Sequence, residues 1–257
     1  MANNPFDLTG KVALVTGSTQ GIGNGMATAL ARAGAIVAIN GRDQAKAEEA
    51  AARIRALGFQ AEACAFDATD AESIDRGVSA LEAKVGPVDI LINNAGHNIR
   101  GDLATYPLAD FHKVMALNLD GVLLVSQRVA PGMIERKAGK IVVTASLSAD
   151  FAKAGGGTYA TSKAAVKMLA KAMAVEWGPH NIQVNAISPG WNKTDIMKAM
   201  LEKNPALEKW VNERTPLGRW SEPAQDLGGA AVFFASSASD FITGQTLSVD
   251  GGFASTF

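Results

Sequence analysis

Short β-branched runs alternate with longer, Ala-rich segments of amphipathic spacing along the whole chain. The runs fall at 12–16, 36–40, 60–66, 88–92, 140–144, 182–187 and 246–249; helical spacing fills 21–33, 43–57, 71–85, 108–133, 158–177 and 223–236. The early runs are apolar at successive positions rather than at alternate ones, as in a strand covered on both faces. Strand, helix, strand repeated this often predicts an α/β fold: a doubly wound parallel sheet of about seven strands with helices on both faces. Ligands of such sheets lie beyond the carboxyl ends of the strands, near the point where strand order reverses. That rule directs attention to the residues that follow each run.

Composition narrows the class without changing the outline. Hydrophobic residues make up 47% and charged residues 19%, enough for a large core, and no Pro/Ser-rich or charge-dense linker interrupts the chain. One domain over 1–257 is expected. A formal net charge of −1 gives no electrostatic reason for a nucleic-acid partner. No apolar stretch reaches membrane-spanning length, and the first residues lack the basic-then-apolar pattern of a secretory signal, so a cytoplasmic protein is expected. The single cysteine, Cys64, excludes an intrachain disulfide and reads as a packing residue. His97, His112 and His180 show no metal-ligand spacing, so no metal is expected.

Directly after the first run comes Thr16-Gly17-Ser18-Thr19-Gln20-Gly21-Ile22-Gly23, and helical spacing begins there. A pyrophosphate needs backbone N–H groups at a helix N-terminus with no side chains in the way. Gly17 suits the turn, Gly21 the close approach of backbone to phosphate, and Gly23 the packing of helix on strand. The spacing resembles the fingerprint of the short-chain dehydrogenase/reductase family, and further landmarks of that family follow in order over essentially the whole chain. The resemblance implies a Rossmann-type fold, with a dinucleotide-binding part over about 1–135, a catalytic and substrate part over about 136–257, and a lid over about 190–220. It implies that Asp67 borders the adenine, that Asn94, Ala95 and Gly96 lay backbone against the cofactor, and that Ala68, Pro189, Gly190, Asn192 and Thr194 also contact it.

Cofactor choice is usually set at the end of the second strand, where an acid binds the adenosine ribose of NAD. Here that place holds Asn40-Gly41-Arg42, with no acid before Asp43. Arg42 suits the 2′-phosphate of NADP, while Gln20 occupies a loop position that is basic in some NADP-dependent relatives. NADP is preferred and NAD stays open.

Hydride transfer to a carbonyl leaves a developing alkoxide that needs a proton and electrostatic support. Tyr159 and Lys163 stand four residues apart in a helical segment and so share a face. An ammonium about 4 Å from a phenol is worth about 4 kcal/mol at an effective dielectric near 20. That predicts a Tyr159 pKa lowered from about 10 by up to about three units. Ser146, at the end of a strand run, places a hydroxyl for the substrate oxygen. By resemblance, Lys163 also binds the nicotinamide ribose and Asn118 holds a water that relays protons to it. Asn118, Ser146, Tyr159 and Lys163 form the expected catalytic set.

Segment 191–220 carries an amphipathic helix expected to form the lid, and Trp191 begins it. Its ending, Thr215-Pro216-Leu217-Gly218-Arg219-Trp220, together with Asn40-Gly41-Arg42, resembles the gluconate 5-dehydrogenase-like branch of the family, which acts on sugar acids. A carboxylated sugar needs a cation in the pocket. Arg100 is the candidate by resemblance, with Lys153 and Lys193 as further ones, and His97 should border the same space. Gly155-Gly156-Gly157, just before Tyr159, predicts an enlarged pocket or a looser loop. Two other functions stay open: a 3-oxoacyl-carrier-protein reductase and a non-catalytic dinucleotide-binding regulator. The resemblance implies a homotetramer built through 108–133, 158–177 and the C-terminal segment.

Overall fold

The computed structural model describes residues 4–256, apart from the side chains at 195, 196, 199 and 200. Seven strands form one parallel sheet: β1 (Val12–Val15), β2 (Ile36–Ile39), β3 (Ala61–Ala63), β4 (Ile90–Asn93), β5 (Gly139–Thr144), β6 (Ile182–Pro189) and β7 (Thr246–Val249). Their order is β3-β2-β1-β4-β5-β6-β7, every neighbouring pair parallel. The chain therefore winds one way from β1 to β3 and the other way from β4 to β7, and the order reverses at the β1/β4 boundary.

Each central strand is buried on both faces, as its unbroken apolar run predicts. Ala13 and Val15 of β1 point into a core with α1 (Gly21–Arg32), α2 (Gln44–Ala56) and α9 (Gly228–Ala235). Leu14 between them points into the opposite core, with α3 (Ala71–Val85), α5 (Gly121–Arg136) and α6 (Gly157–Trp177). A third, small cluster of Leu201, Val211 and Trp220 holds the lid together. Among the described residues no helix is long and apolar enough to cross a membrane.

Three predicted elements differ from those observed, each for a local reason. The run 60–66 forms ladder structure only over Ala61–Ala63. Beyond it the Cys64 and Phe66 N–H groups still donate to the Ile39 and Gly41 carbonyls, but their own carbonyls accept from Asn40 Nδ2 (3.0 and 3.3 Å), so a side chain takes over one half of the pairing. The helix predicted over 108–133 is a longer rod broken in register: α4 (Leu108–Met115), one π-helical turn at Ala116–Asp120, then α5. The lid holds two helices, α7 (Asp195–Lys203) and α8 (Pro205–Arg214), because Pro205 has no N–H to continue the first.

Candidate active site

The glycine loop joins β1 to α1 at the reversal point, beyond the strand ends. Gly17 has φ +60° and Gly21 φ +63°, conformations that suit glycine, and a Cβ on Gly17 would lie 2.8 Å from the Ala95 Cα. A Cβ on Gly23 would fall 2.5 Å from Asn94 Nδ2 and 2.6 Å from the Gly17 carbonyl, so helix and loop close on each other only without side chains. Three side chains tie the loop down from behind. Gly17 N–H donates to Asn40 Oδ1 (3.1 Å), Ser18 Oγ donates to the Val15 carbonyl (2.6 Å), and Asn94 Nδ2 donates to the carbonyls of Thr16 and Gly17 (both 3.0 Å). No side chain caps α1 at Gln20, and Gln20, Gly21 and Ile22 line a cavity. An uncapped helix N-terminus with bare backbone at a cavity wall fits an anionic phosphate group.

Asn40, expected to touch cofactor, is buried with its amide engaged on Gly17, Cys64 and Phe66, so its part is to fasten the loop. Asp43 is the N-cap of α2, accepting from the Ala45 and Lys46 N–H groups, which leaves the exposed Arg42 as the charged side chain at this strand end. Asp67 folds back on Thr69 N–H (2.9 Å) and Thr69 Oγ1 (2.7 Å), and this bonding holds its carboxyl below the usual range. Ser18, Thr19, Gly23, Arg42, Asp67, Ala68, Ala95 and Asn192 are not among the residues that line the cavity. Asn192 Nδ2 donates to the Gly190 carbonyl (2.8 Å), which bends the chain leaving β6.

The same cavity, about 950 Å³, runs past the ends of β5 and α6, where Ser146, Tyr159 and Lys163 line it together. Ser146 hydrogen bonds the Tyr159 side chain, and its Oγ accepts from the Ser148 N–H (3.1 Å). Lys163 is buried; its Nζ donates to the Thr144 carbonyl (2.7 Å) and lies 5.7 Å from the Tyr159 ring centre. Burial lowers the lysine from 10.5 to about 8. Burial also raises the Tyr159 phenol, against the weaker lowering effect of Ser146. This overturns the expected depression of Tyr159: the ammonium is directed at a backbone carbonyl and the ring face, and low local polarity opposes ionisation of the phenol.

Asn118 sits on the π-helical turn, fully buried. The His97 N–H donates to its Oδ1 (2.9 Å), and its Nδ2 donates to the His97 carbonyl (2.9 Å) and Ser162 Oγ (3.0 Å). Ser162 Oγ in turn donates to the Tyr159 carbonyl (2.7 Å). Sequence reasoning missed Ser162 and Thr144, which connect the four expected residues; nothing but their places beside Lys163 and at a strand end marks them. A Cβ on Gly96 would lie 3.1 Å from Asn118 Oδ1 and 3.5 Å from Lys163 Nζ, so the backbone after β4 passes directly over this group.

At its other end the cavity is closed by Trp191, Trp210 and Phe253, packed edge to face. His97 and Arg100 line it as expected, and burial followed by the Arg42 charge lowers the His97 pKa. Lys153 also lines it, with Arg214, a residue the sequence reading did not single out; Trp210 one helical turn earlier was the available signal. Lys193 does not: it pairs with Glu208 at 3.4 Å, away from the cavity. Of the triple glycine, Gly156 lines the wall, while a Cβ on Gly157 would strike the Leu103 side chain at 2.8 Å. The Gly155 carbonyl accepts from Gly101 N–H (3.2 Å), so the loop is tethered rather than loose.

Comparison with known proteins fits this geometry. The family described as Enoyl-(Acyl carrier protein) reductase matches residues 17–254. The chain is similar to 5-keto-D-gluconate 5-reductase of Escherichia coli (strain K12), 45% identical over 250 residues, covering 97% of this chain and 98% of the relative. It is similar to gluconate 5-dehydrogenase of Gluconobacter oxydans (strain 621H), 43% identical over 247 residues and 96% of each chain. Among solved structures, a gluconate 5-dehydrogenase from Burkholderia cenocepacia J2315 in complex with NADP and tartrate superposes with a TM-score of 0.93, at 43% identity and covering 98% of each chain.

Proposed function

Because this chain belongs to the short-chain dehydrogenase/reductase family, we propose that it is an NADP-dependent oxidoreductase that interconverts a secondary alcohol and a ketone on a sugar acid. One observation carries the reading. A single cavity joins the open end of α1 to Ser146, Tyr159 and Lys163, and continues to a wall bearing Arg100, Lys153 and Arg214, with no Asp or Glu in its lining among the described residues. The relatives named as gluconate 5-dehydrogenase and 5-keto-D-gluconate 5-reductase support the substrate class. The relative solved with NADP supports the cofactor.

The residues divide the work by chemistry. Backbone at Gly17, Gln20, Gly21 and Ile22 receives the pyrophosphate, Arg42 the 2′-phosphate, and Pro189, Gly190 and Thr194 the nicotinamide end. The bound dinucleotide supplies or accepts the hydride. Tyr159, whose protonated form is favoured by burial, gives its proton to the substrate oxygen during reduction; in oxidation its phenolate takes the proton that the alcohol releases. Ser146 hydrogen bonds that oxygen and fixes the phenol. Lys163 adds positive charge beside the developing alkoxide and holds the nicotinamide ribose. Asn118 positions the His97 backbone and, through Ser162, the first turn of α6; a relaying water belongs beside this group.

We read the chain as one domain acting in the cytoplasm as a homotetramer. Apolar side chains left exposed on α6 (Met168, Val175) and near β7 (Phe241, Leu247) support the assembly. Light scattering giving four times the chain mass is the expected result. The activity is tested by following cofactor absorbance with NADPH and NADH against keto sugar acids, aldonates and acetoacetyl thioesters. Turnover of a carboxylated sugar with NADPH is expected. Turnover of the thioester alone would overturn the substrate class.

A further inference from the structure

Several positive side chains on the lid are paired with carboxylates. Lys193 pairs with Glu208 at 3.4 Å, Lys209 with Glu213 at 3.7 Å, and Arg219 with Asp226 at 2.7 Å. Arg214 and, across the cavity mouth, Lys153 pair with no carboxylate among the described residues. Both are instead stationed on aromatic faces. Lys153 Nζ lies 5.6 Å from the Trp191 ring centre and 5.8 Å from that of Trp210. The Arg214 guanidinium carbon lies 5.9 Å from Trp210 and 5.3 Å from Phe253. Placement within about 6 Å of a ring is how a cation is held when no anion neutralises it.

Trp210 thus carries two cations around one indole. Two like charges within about 6 Å of one indole repel each other, and an anion between them relieves that repulsion. The arrangement is also fixed through the backbone: Thr256 Oγ1 donates to the Arg214 carbonyl (3.3 Å), so the C-terminal segment that brings Phe253 also ties down the end of α8.

We propose that Lys153 and Arg214, with Trp210 as their platform, form the carboxylate-holding end of the substrate cavity and set its preference for acidic sugars. This rests on the sugar-acid reading above. The substrate then lies between two chemistries. Its carbonyl oxygen meets Ser146 and Tyr159, its carboxylate lies between Lys153 and Arg214, and the C–H face of its carbon chain packs on Trp210. Arg100, the cation expected from the sequence, lines the same cavity but stands over no aromatic ring among the described residues. Because Arg214 belongs to α8 and Lys153 to the loop before α6, an anion bridging them also draws the lid toward the body of the protein.

The test separates charge recognition from packing. Full-length protein carrying Tyr159→Phe, which slows turnover by about 10²–10⁴-fold, is loaded with NADP and titrated calorimetrically with D-gluconate and with its uncharged counterpart D-glucitol. The parent should favour gluconate. Lys153→Gln with Arg214→Gln should lower the gluconate-to-glucitol affinity ratio at least tenfold, and Arg214→Lys in place of Arg214→Gln should restore most of it. An unaltered ratio in the double variant, or a ratio abolished by Arg100→Gln alone, would overturn the assignment. If gluconate does not bind the parent at all, the sugar-acid reading fails, and titration with malonate against malonamide decides the anion site alone. Malonate binding lost in the double variant supports the site; equal binding in both proteins, or none in the parent, overturns it.

Discussion

Asn118 and His97 are joined through both ends of one side-chain amide: the His97 N–H donates to Oδ1 and Nδ2 donates to the His97 carbonyl, each at 2.9 Å. The π-helical turn at Ala116–Asp120 aims Asn118 at the loop after β4 instead of along its own helix. Asn118→Ala leaves the part-buried His97 N–H and carbonyl without this partner, at a penalty of about 1–3 kcal/mol. It also frees the backbone beside Lys163. Urea unfolding should show that loss, and kcat/KM should fall at least tenfold. A variant as stable as the parent would mean that the clamp contributes nothing.

Tyr159→Phe removes the exchangeable proton and keeps the ring over which Lys163 lies. Turnover should fall by about 10²–10⁴-fold, the usual contribution of a placed acid or base. The dissociation constant for NADPH, read by fluorescence, should stay within about threefold of the parent if the phenol contributes only a single neutral hydrogen bond to binding. Retained turnover would remove Tyr159 from the proton-transfer role.

Arg42 is exposed at the strand end where Asp43 is engaged as a helix cap. Arg42→Gln should therefore raise KM for NADP about tenfold or more, the value of one charge-assisted contact. The constant for NAD should change far less. Steady-state kinetics with both cofactors measures this, and equal increases would show that Arg42 does not read the phosphate.

Lys163 titrates at about 8 in the folded protein against 10.5 for a free side chain, because burial disfavours its charge. Below pH 8 the lysine is charged both folded and unfolded, and the penalty is fully present. Between 8 and 10.5 the unfolded chain binds more protons than the folded one, so stability rises with pH across that window. The full span corresponds to about 3 kcal/mol. Relative to Lys163→Met, which lacks this titration, the parent should gain most of that between pH 7 and pH 10 in urea unfolding experiments. A difference independent of pH would put Lys163 in water rather than in a dry site.

Much of this was legible from residue order. Runs apolar at successive positions specify strands buried on both faces, and Leu14 flanked by Ala13 and Val15 fills two cores as that pattern requires. The glycine spacing placed the loop and the first helix. What the sequence concealed depends on side chains meeting across the fold. Asn40 reads as a residue near the cofactor, yet its amide takes over one half of the strand pairing and fastens the glycine loop. The i, i+4 spacing of Tyr159 and Lys163 puts them on one face, but whether the ammonium meets the phenol oxygen or the Thr144 carbonyl depends on where β5 ends. Arg214 is one cation among many in the sequence, and only the folding of Phe253 and Lys153 onto Trp210 distinguishes it.

The bare start of α1 has a consequence for the protein as a folded object. A helix normally completes its first turn with a side chain of its own; this one leaves that turn to whatever anion arrives. The dinucleotide then serves as a missing piece of secondary structure, and the cell's supply of it enters the protein's own stability by mass action, contributing about 2.7 kcal/mol at a hundredfold excess over the dissociation constant. Starvation for cofactor would be felt first as a loosening of the fold, before any change in the chemistry.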